Sequence, residues 1–221
     1  MTQPIELSHT EENYIKVIYH LSEKNEAVST NAIADMLSTK PASVSDMLKK
    51  LDSKSLINYI KYKGVTLTEE GKSIALWIIR KHRLWEVFLV EKMKFNWDEV
   101  HEVAEQLEHI KSRRLIEQLD WFLEFPKYDP HGDPIPDSEG KVRQLPTLPL
   151  SEATMKTDLK VVTVSDSSSE FLQYLDKVGI SIGIHIKIVD KIAYDGSLEL
   201  EIDGKTHLIS RQGAQNILVV A

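Results

Sequence analysis

Between residues 10 and 23 the apolar side chains Tyr14, Ile15, Val17, Ile18 and Leu21 recur at helical spacing, which predicts an amphipathic helix with Thr10 as its N-cap. A short helix is predicted over 29–37. After the break at Ser38-Thr39-Lys40, Pro41 suits the first turn of a third helix running to Ser53 through Val44, Met47, Leu48 and Leu51. Two strand-like runs follow, Leu56 to Tyr62 and Val65 to Leu67, joined around Lys63-Gly64 as a hairpin. Helix period then returns. Thr68 caps a long apolar helix to about Lys92, a second runs from Trp97 to Ile110, and a third covers 112–125. Six prolines between 126 and 149 end this regularity and predict a partly extended linker. Beyond it come short β runs at Leu159–Val164, Ile184–Val189, Leu198–Ile202, His207–Ser210 and Ile217–Val220, with one helix at Ser169–Val178. Asp195-Gly196 and Asp203-Gly204 are tight-turn dipeptides.

The expected fold class is therefore α+β and multidomain. An N-terminal winged helix-turn-helix takes residues 1–67 and an all-α dimerisation domain takes 68–125. A Pro-rich linker takes 126–154, and a C-terminal SH3-like β-barrel takes 155–221. The central helices are too apolar to be covered by one another, and a homodimer interface is the natural sink for the excess.

Composition changes this picture in two ways. The chain has 221 residues and no cysteine, which excludes disulfides, thiolate metal sites and cysteine nucleophiles. No apolar run is long enough to span a bilayer, and the first residues lack the pattern of a signal peptide, so no membrane partner and a cytoplasmic location are expected. The net charge is −7, yet residues 38–67 carry six lysines against two aspartates, a local +4 on an acidic protein. That is the electrostatic footprint of a DNA reader. On the third helix Lys40, Ser43, Asp46, Lys49 and Lys50, and on the wing Lys61 and Lys63, are the candidate contacts to double-stranded operator DNA. A solvated module that binds protein is the alternative.

The candidate chemistry lies in His101-Glu102-Val103-Ala104-Glu105-Gln106-Leu107-Glu108-His109. On one continuous helix, His101, Glu105, Glu108 and His109 would share a face, and His82 and Glu86 form an i,i+4 pair upstream. Two kinds of donor, imidazole and carboxylate, point to a divalent-metal site; a solvated helix face is the plain alternative. Without an ion, Glu86, Glu105 and Glu108 would repel one another.

Arg80-Lys81-His82-Arg83-Leu84-Trp85-Glu86, the stretch His101 to His109, and Pro130-His131-Gly132-Asp133-Pro134-Ile135-Pro136 together resemble the diphtheria toxin repressor and manganese transport regulator family of metal-dependent bacterial repressors. The resemblance covers the whole chain. It implies that His82, Glu86 and His101 serve one metal site, and that Glu105, Glu108, His109 and Asn13 serve another. It also implies a dimer that reads palindromic operators of metal-uptake genes. Asn13 stands where iron-type members carry Met and manganese-type members carry Asp. Glu105 stands where iron-type members carry Cys, which tilts the expected cofactor toward Mn(II), with Fe(II) as the alternative. Lys16 matches a carboxylate of manganese-type members. The Glu and Gln that iron-type C-terminal domains supply have no match in Val161 to Asp166. No nucleophile motif accompanies the ligand set, so a hydrolytic metalloenzyme is the expectation's rival and not its reading. His131 and His207 are expected to be structural or exposed.

Overall fold

A computed structural model describes residues 6–23, 27–60, 63–143 and 145–220. The first helix, α1, is His9–Ser22. It begins earlier than expected, because Ser8 and not Thr10 is the cap. The Ser8 side chain accepts from the Glu11 backbone N–H, and the Glu11 carboxylate returns a bond to the Ser8 N–H at 2.8 Å, a closed capping box. Helix α2, Thr30–Met36, is capped by Ser29, and α3, Pro41–Ser53, starts on its proline. On α3, Val44, Leu48 and Leu51 are fully buried, while Lys40, Ser43, Asp46, Lys49 and Lys50 are exposed. Each of these buried side chains stabilises the fold by about 2 kcal/mol. Strands β1, Ile57–Ile60, and β2, Gly64–Leu67, pair antiparallel from Ile57↔Leu67 to Ile60↔Gly64. Val28 exchanges backbone hydrogen bonds of 2.9 Å with Val65. This contact requires Gly64: its φ is +101°, and a Cβ there would sit 2.8 Å from the Val28 carbonyl oxygen. The winged helix-turn-helix order is as expected; Lys61 and Tyr62 of the wing lie outside the described residues.

Helix α4 is Glu69–Glu91, with the Thr68 hydroxyl accepting from Gly71 N–H at 3.1 Å. Helix α5 is only Val100–Leu107, shorter at both ends than its sequence period predicts. At the N-terminal end the carbonyls that would extend it are used elsewhere: Trp97 O accepts from His131 Nε2 at 2.8 Å and Asp98 O from the Ser169 hydroxyl at 2.7 Å. At the other end Glu108 and His109 sit in a turn, closed by Ile110 N–H on Leu107 O at 3.1 Å. The helix that carries His101 and Glu105 thus ends one residue before Glu108. Helix α6 is Arg113–Phe122, capped by Ser112. It leaves Leu115, Trp121 and Phe122 exposed.

The chain packs as two compact units. The first takes the chain up to His82, with Leu107–Lys111 and Pro136–Lys141; the second takes Arg83–Gln106, Ser112–Ile135 and Val142–Ala221. Within the first, Ile15, Ile18, Ile33, Val44, Leu48, Leu51 and Leu56 form one core. Within the second, the Pro-rich stretch has its own hydrogen-bond framework. Asp129 N–H bonds Asp133 O at 2.9 Å, and Arg83 bonds Pro134 O at 2.6 Å and Asp133 Oδ2 at 3.1 Å. Gly132, at φ +85°, lets the backbone approach Val162 O, where a Cβ would collide.

The C-terminal part is SH3-like. Its strands are β3 Leu148–Pro149, β4 Asp158–Val164, β5 His185–Lys191, β6 Leu198–Ile202, β7 Lys205–Ile209 and β8 Ile217–Val220. They form one antiparallel sheet in the order β3-β8-β4-β5-β6-β7. Helix α7, Ser169–Val178, has the expected bounds, whereas α8, Arg211–Asn216, and β3 had no signal in the periodicity. Asp203 and Gly204, at φ 48° and 74°, make the tight turn between β6 and β7 that their dipeptide predicts. No helix among the described residues is long and apolar enough to cross a membrane.

Candidate metal centres

In the first unit the 108–109 turn meets α1 and α4. Glu108 is fully buried. Lys16 Nζ donates to Glu108 Oε2 at 2.8 Å and lies 2.7 Å from Oε1, which makes no hydrogen bond. His82 Nδ1 reaches Oε2 at 2.6 Å. Burial alone would raise the Glu108 carboxyl, but the His82 bond and the Lys16 charge hold it below the usual carboxylate range. One residue on, His109 Nδ1 bonds Glu12 Oε2 at 2.6 Å, and its ring stacks on His9 with centroids 4.2 Å apart. A carboxylate on Nδ1 fixes the ring so that Nε2 is the nitrogen offered to a ligand. Buried Lys81 lies among Glu12, Glu108, Lys111 and Lys16; burial pushes its ammonium down.

Asn13 lies on α1 between the two residues, Glu12 and Lys16, that touch this turn. Its amide oxygen is buried and has no hydrogen-bond partner. A buried polar atom without a partner costs about 1–3 kcal/mol. An amide oxygen left so is a donor that a divalent cation could take up, which gives Asn13 a reason to be there. No ion is needed to explain Lys16 and Glu108, which already balance each other.

The second unit holds a different cluster. Glu86 is buried on α4, with His101 Nδ1 at 3.3 Å from Oε1 and His131 Nδ1 at 3.7 Å from Oε2. Glu86, Asp129 and His131 are all buried, and their donor atoms lie within 4.8 Å of one another, an arrangement able to hold a metal ion. Burial would lower the His131 imidazole, but the Glu86 and Asp129 carboxylates and the Trp97 carbonyl raise it to about 9. Burial and the neighbouring Glu86 and Asp133 push the Asp129 carboxyl up to about 7, with Arg83 and His131 opposing. Glu105 is half exposed, its Oε1 3.9 Å from His101 Nε2. The expected repulsion among Glu86, Glu105 and Glu108 is answered locally: Glu108 has Lys16 and His82, and Glu86 has His101 and His131.

Sequence reasoning missed Asp129 and His131. His131, expected to be structural or solvent-exposed, is buried and joins the Glu86 cluster. The signal available was Asp129-Pro130-His131-Gly132-Asp133 itself, a dense set of donors in a stretch taken only as a spacer.

On the DNA-facing candidates, Lys49 Nζ donates to Asp46 Oδ1 at 2.9 Å, with both side chains well exposed. Lys50 and Lys54 lie 3.4 Å and 2.6 Å from Glu11 Oε1, tying α3 to α1. Lys40, Ser43 and Lys63 are exposed, and Lys61 lies outside the described residues.

Three family profiles match this chain: an iron-dependent repressor N-terminal DNA-binding domain over residues 6–65, an iron-dependent repressor metal-binding and dimerisation domain over 68–137, and an FeoA domain over 148–221. An uncharacterised helix-turn-helix-type transcriptional regulator of Methanocaldococcus jannaschii is 37% identical over 53% of this chain and 95% of its own length. The transcriptional regulator MntR of Oceanobacillus iheyensis is 35% identical over 53% of this chain and 80% of its own. The solved structure of a manganese-dependent transcriptional repressor in complex with manganese superposes with a TM-score of 0.86 at 35% identity, covering 96% of this chain and 99% of that one.

Proposed function

The chain belongs to the family of iron- and manganese-dependent repressors that includes the diphtheria toxin repressor, and from that premise we propose that it closes palindromic operators as a homodimer when loaded with Mn(II). It is a metal-dependent transcriptional repressor and not an enzyme. The observation that carries the metal reading is the buried, unpartnered amide oxygen of Asn13.

A divalent ion supplies two positive charges and a demand for hard donors when bound. The residues that would hold it are His82, Glu86, His101, Glu105, Glu108, His109 and Asn13, with Asp129 and His131 in reach of Glu86. Glu12 fixes the His109 ring, and His131 is fixed by its bond to the Trp97 carbonyl. Three features favour manganese: the carboxylate of Glu105, the absence of cysteine and the all-oxygen-and-nitrogen donor set. Asn13, which matches neither the Met of iron-type nor the Asp of manganese-type members, keeps Fe(II) as the second reading.

Metal control needs only that the ion binds the DNA-competent arrangement of the dimer more tightly than the other. The exposed Leu115, Trp121 and Phe122 of α6 suit burial against a second copy. Helix α3 would enter a major groove, with half-sites about one helical turn apart or a multiple of it. Lys40, Lys49 and Lys50 on α3, with Lys61 and Lys63 on the wing, would position on phosphates. Ser43 and Asp46 stand on the base-facing side.

Duplexes selected from a random pool in the presence of Mn(II) should be retained with Mn(II) and released by chelator. Glu105→Ala and His109→Ala should each abolish that retention while the far-UV spectrum stays unchanged. Retention indifferent to chelator would overturn the reading. The same titration with Fe(II) under anaerobic conditions separates the two metals.

A further inference from the structure

The Lys16–Glu108 pair is buried, its side chains 10% and 0% exposed, and it joins residues 92 positions apart. The ammonium contacts both carboxylate oxygens, while His82 Nδ1 reaches Oε2 at 2.6 Å. Any cation that takes Glu108 therefore meets a positive charge already seated on the same oxygens. Lys81, also buried, adds a second positive charge beside Glu108. The lysine stem has four rotatable carbons, so its head can leave the carboxylate without the helix moving.

We propose that Lys16 is a tethered cation that holds Glu108 in the ion-free protein and competes with divalent metal for it, so that this one side chain sets how much metal the protein needs. The inference rests on the metal reading above and deepens it. In the ion-free state the ammonium keeps a buried carboxylate neutralised, which preserves the fold when metal is scarce. On loading, the ion must replace that ammonium, and the replacement raises the metal concentration at which the protein responds.

Calorimetric titration of the ion-free full-length chain with Mn(II) tests this, with Lys16→Met, Lys16→Arg and Glu108→Ala alongside. Lys16→Met, close in shape and without charge, should bind Mn(II) at least tenfold more tightly than the parent. Lys16→Arg, whose fork engages both oxygens, should bind more weakly. The ion-free Lys16→Met variant should unfold at a lower temperature than the parent, and Mn(II) should raise that temperature further than it does for the parent. If the parent binds Mn(II), Glu108→Ala loses it, and Lys16→Met binds within twofold of the parent, Lys16 is a structural ion pair only and this inference falls alone. If Glu108→Ala binds Mn(II) as the parent does, the assignment of Glu108 as a ligand falls, and the inference with it.

Discussion

Two buried carboxylates, Glu108 in the first unit and Glu86 in the second, solve the same problem by opposite means. Glu108 has a fixed cation, the Lys16 ammonium, and a hydrogen bond from His82. Glu86 has two imidazoles, at 3.3 Å and 3.7 Å, and shares its surroundings with a second buried acid, Asp129. The first centre is balanced by a lysine side chain. The second is balanced by groups that titrate together: burial with Glu86 and Asp133 pushes Asp129 up to about 7, and against burial Glu86 and Asp129 raise His131 to about 9. A buried carboxylate thus does not by itself announce a metal site; what distinguishes the two centres is which group faces the acid, a lysine at Glu108 and imidazoles at Glu86.

The contrast predicts unequal costs of removing each acid in the ion-free protein. Glu108→Gln strands a buried ammonium and should lower unfolding stability in urea by about 3–5 kcal/mol. A smaller effect is expected at Glu11, a third paired acid, whose carboxyl is lowered to about 2: burial would raise it, but Lys54 and the Ser8 bonds outweigh that. Its folded pKa is depressed, so its contribution is complete above about pH 4.5 and drains as pH falls toward 2. Discounted for the partly exposed lysines, it amounts to about 2 kcal/mol. Glu11→Gln should remove that part of the acid-unfolding slope and leave the slope above pH 5 unchanged. Glu86→Gln should cost least, about 1 kcal/mol, because losing Glu86 also relieves Asp129. Equal losses from Glu108→Gln and Glu86→Gln would break the comparison.

Much of this was legible in the chain. The winged helix, α4, α7 and five of the C-terminal strands lie within a few residues of their expected bounds, because each has a full apolar stripe or alternation to mark it. The candidate donors were visible as residue types at helical spacing. What spacing could not show was that α5 stops at Leu107, since the competition for the Trp97 and Asp98 carbonyls comes from residues far along the chain. His131 was hidden for the same reason: its burial depends on the fold of a proline-rich stretch with no period to read. Lys16 was visible only as a departure from the manganese-type pattern; its role as the counter-ion of Glu108 needed coordinates.

Metal and DNA must reinforce each other in a metal-dependent repressor, and linkage makes that reciprocal. The decisive measurement is calorimetric titration of the ion-free protein with Mn(II), with and without a selected operator duplex at saturating concentration. The account predicts Mn(II) binding at least tenfold tighter on DNA. Identical Mn(II) affinity in both titrations would contradict it.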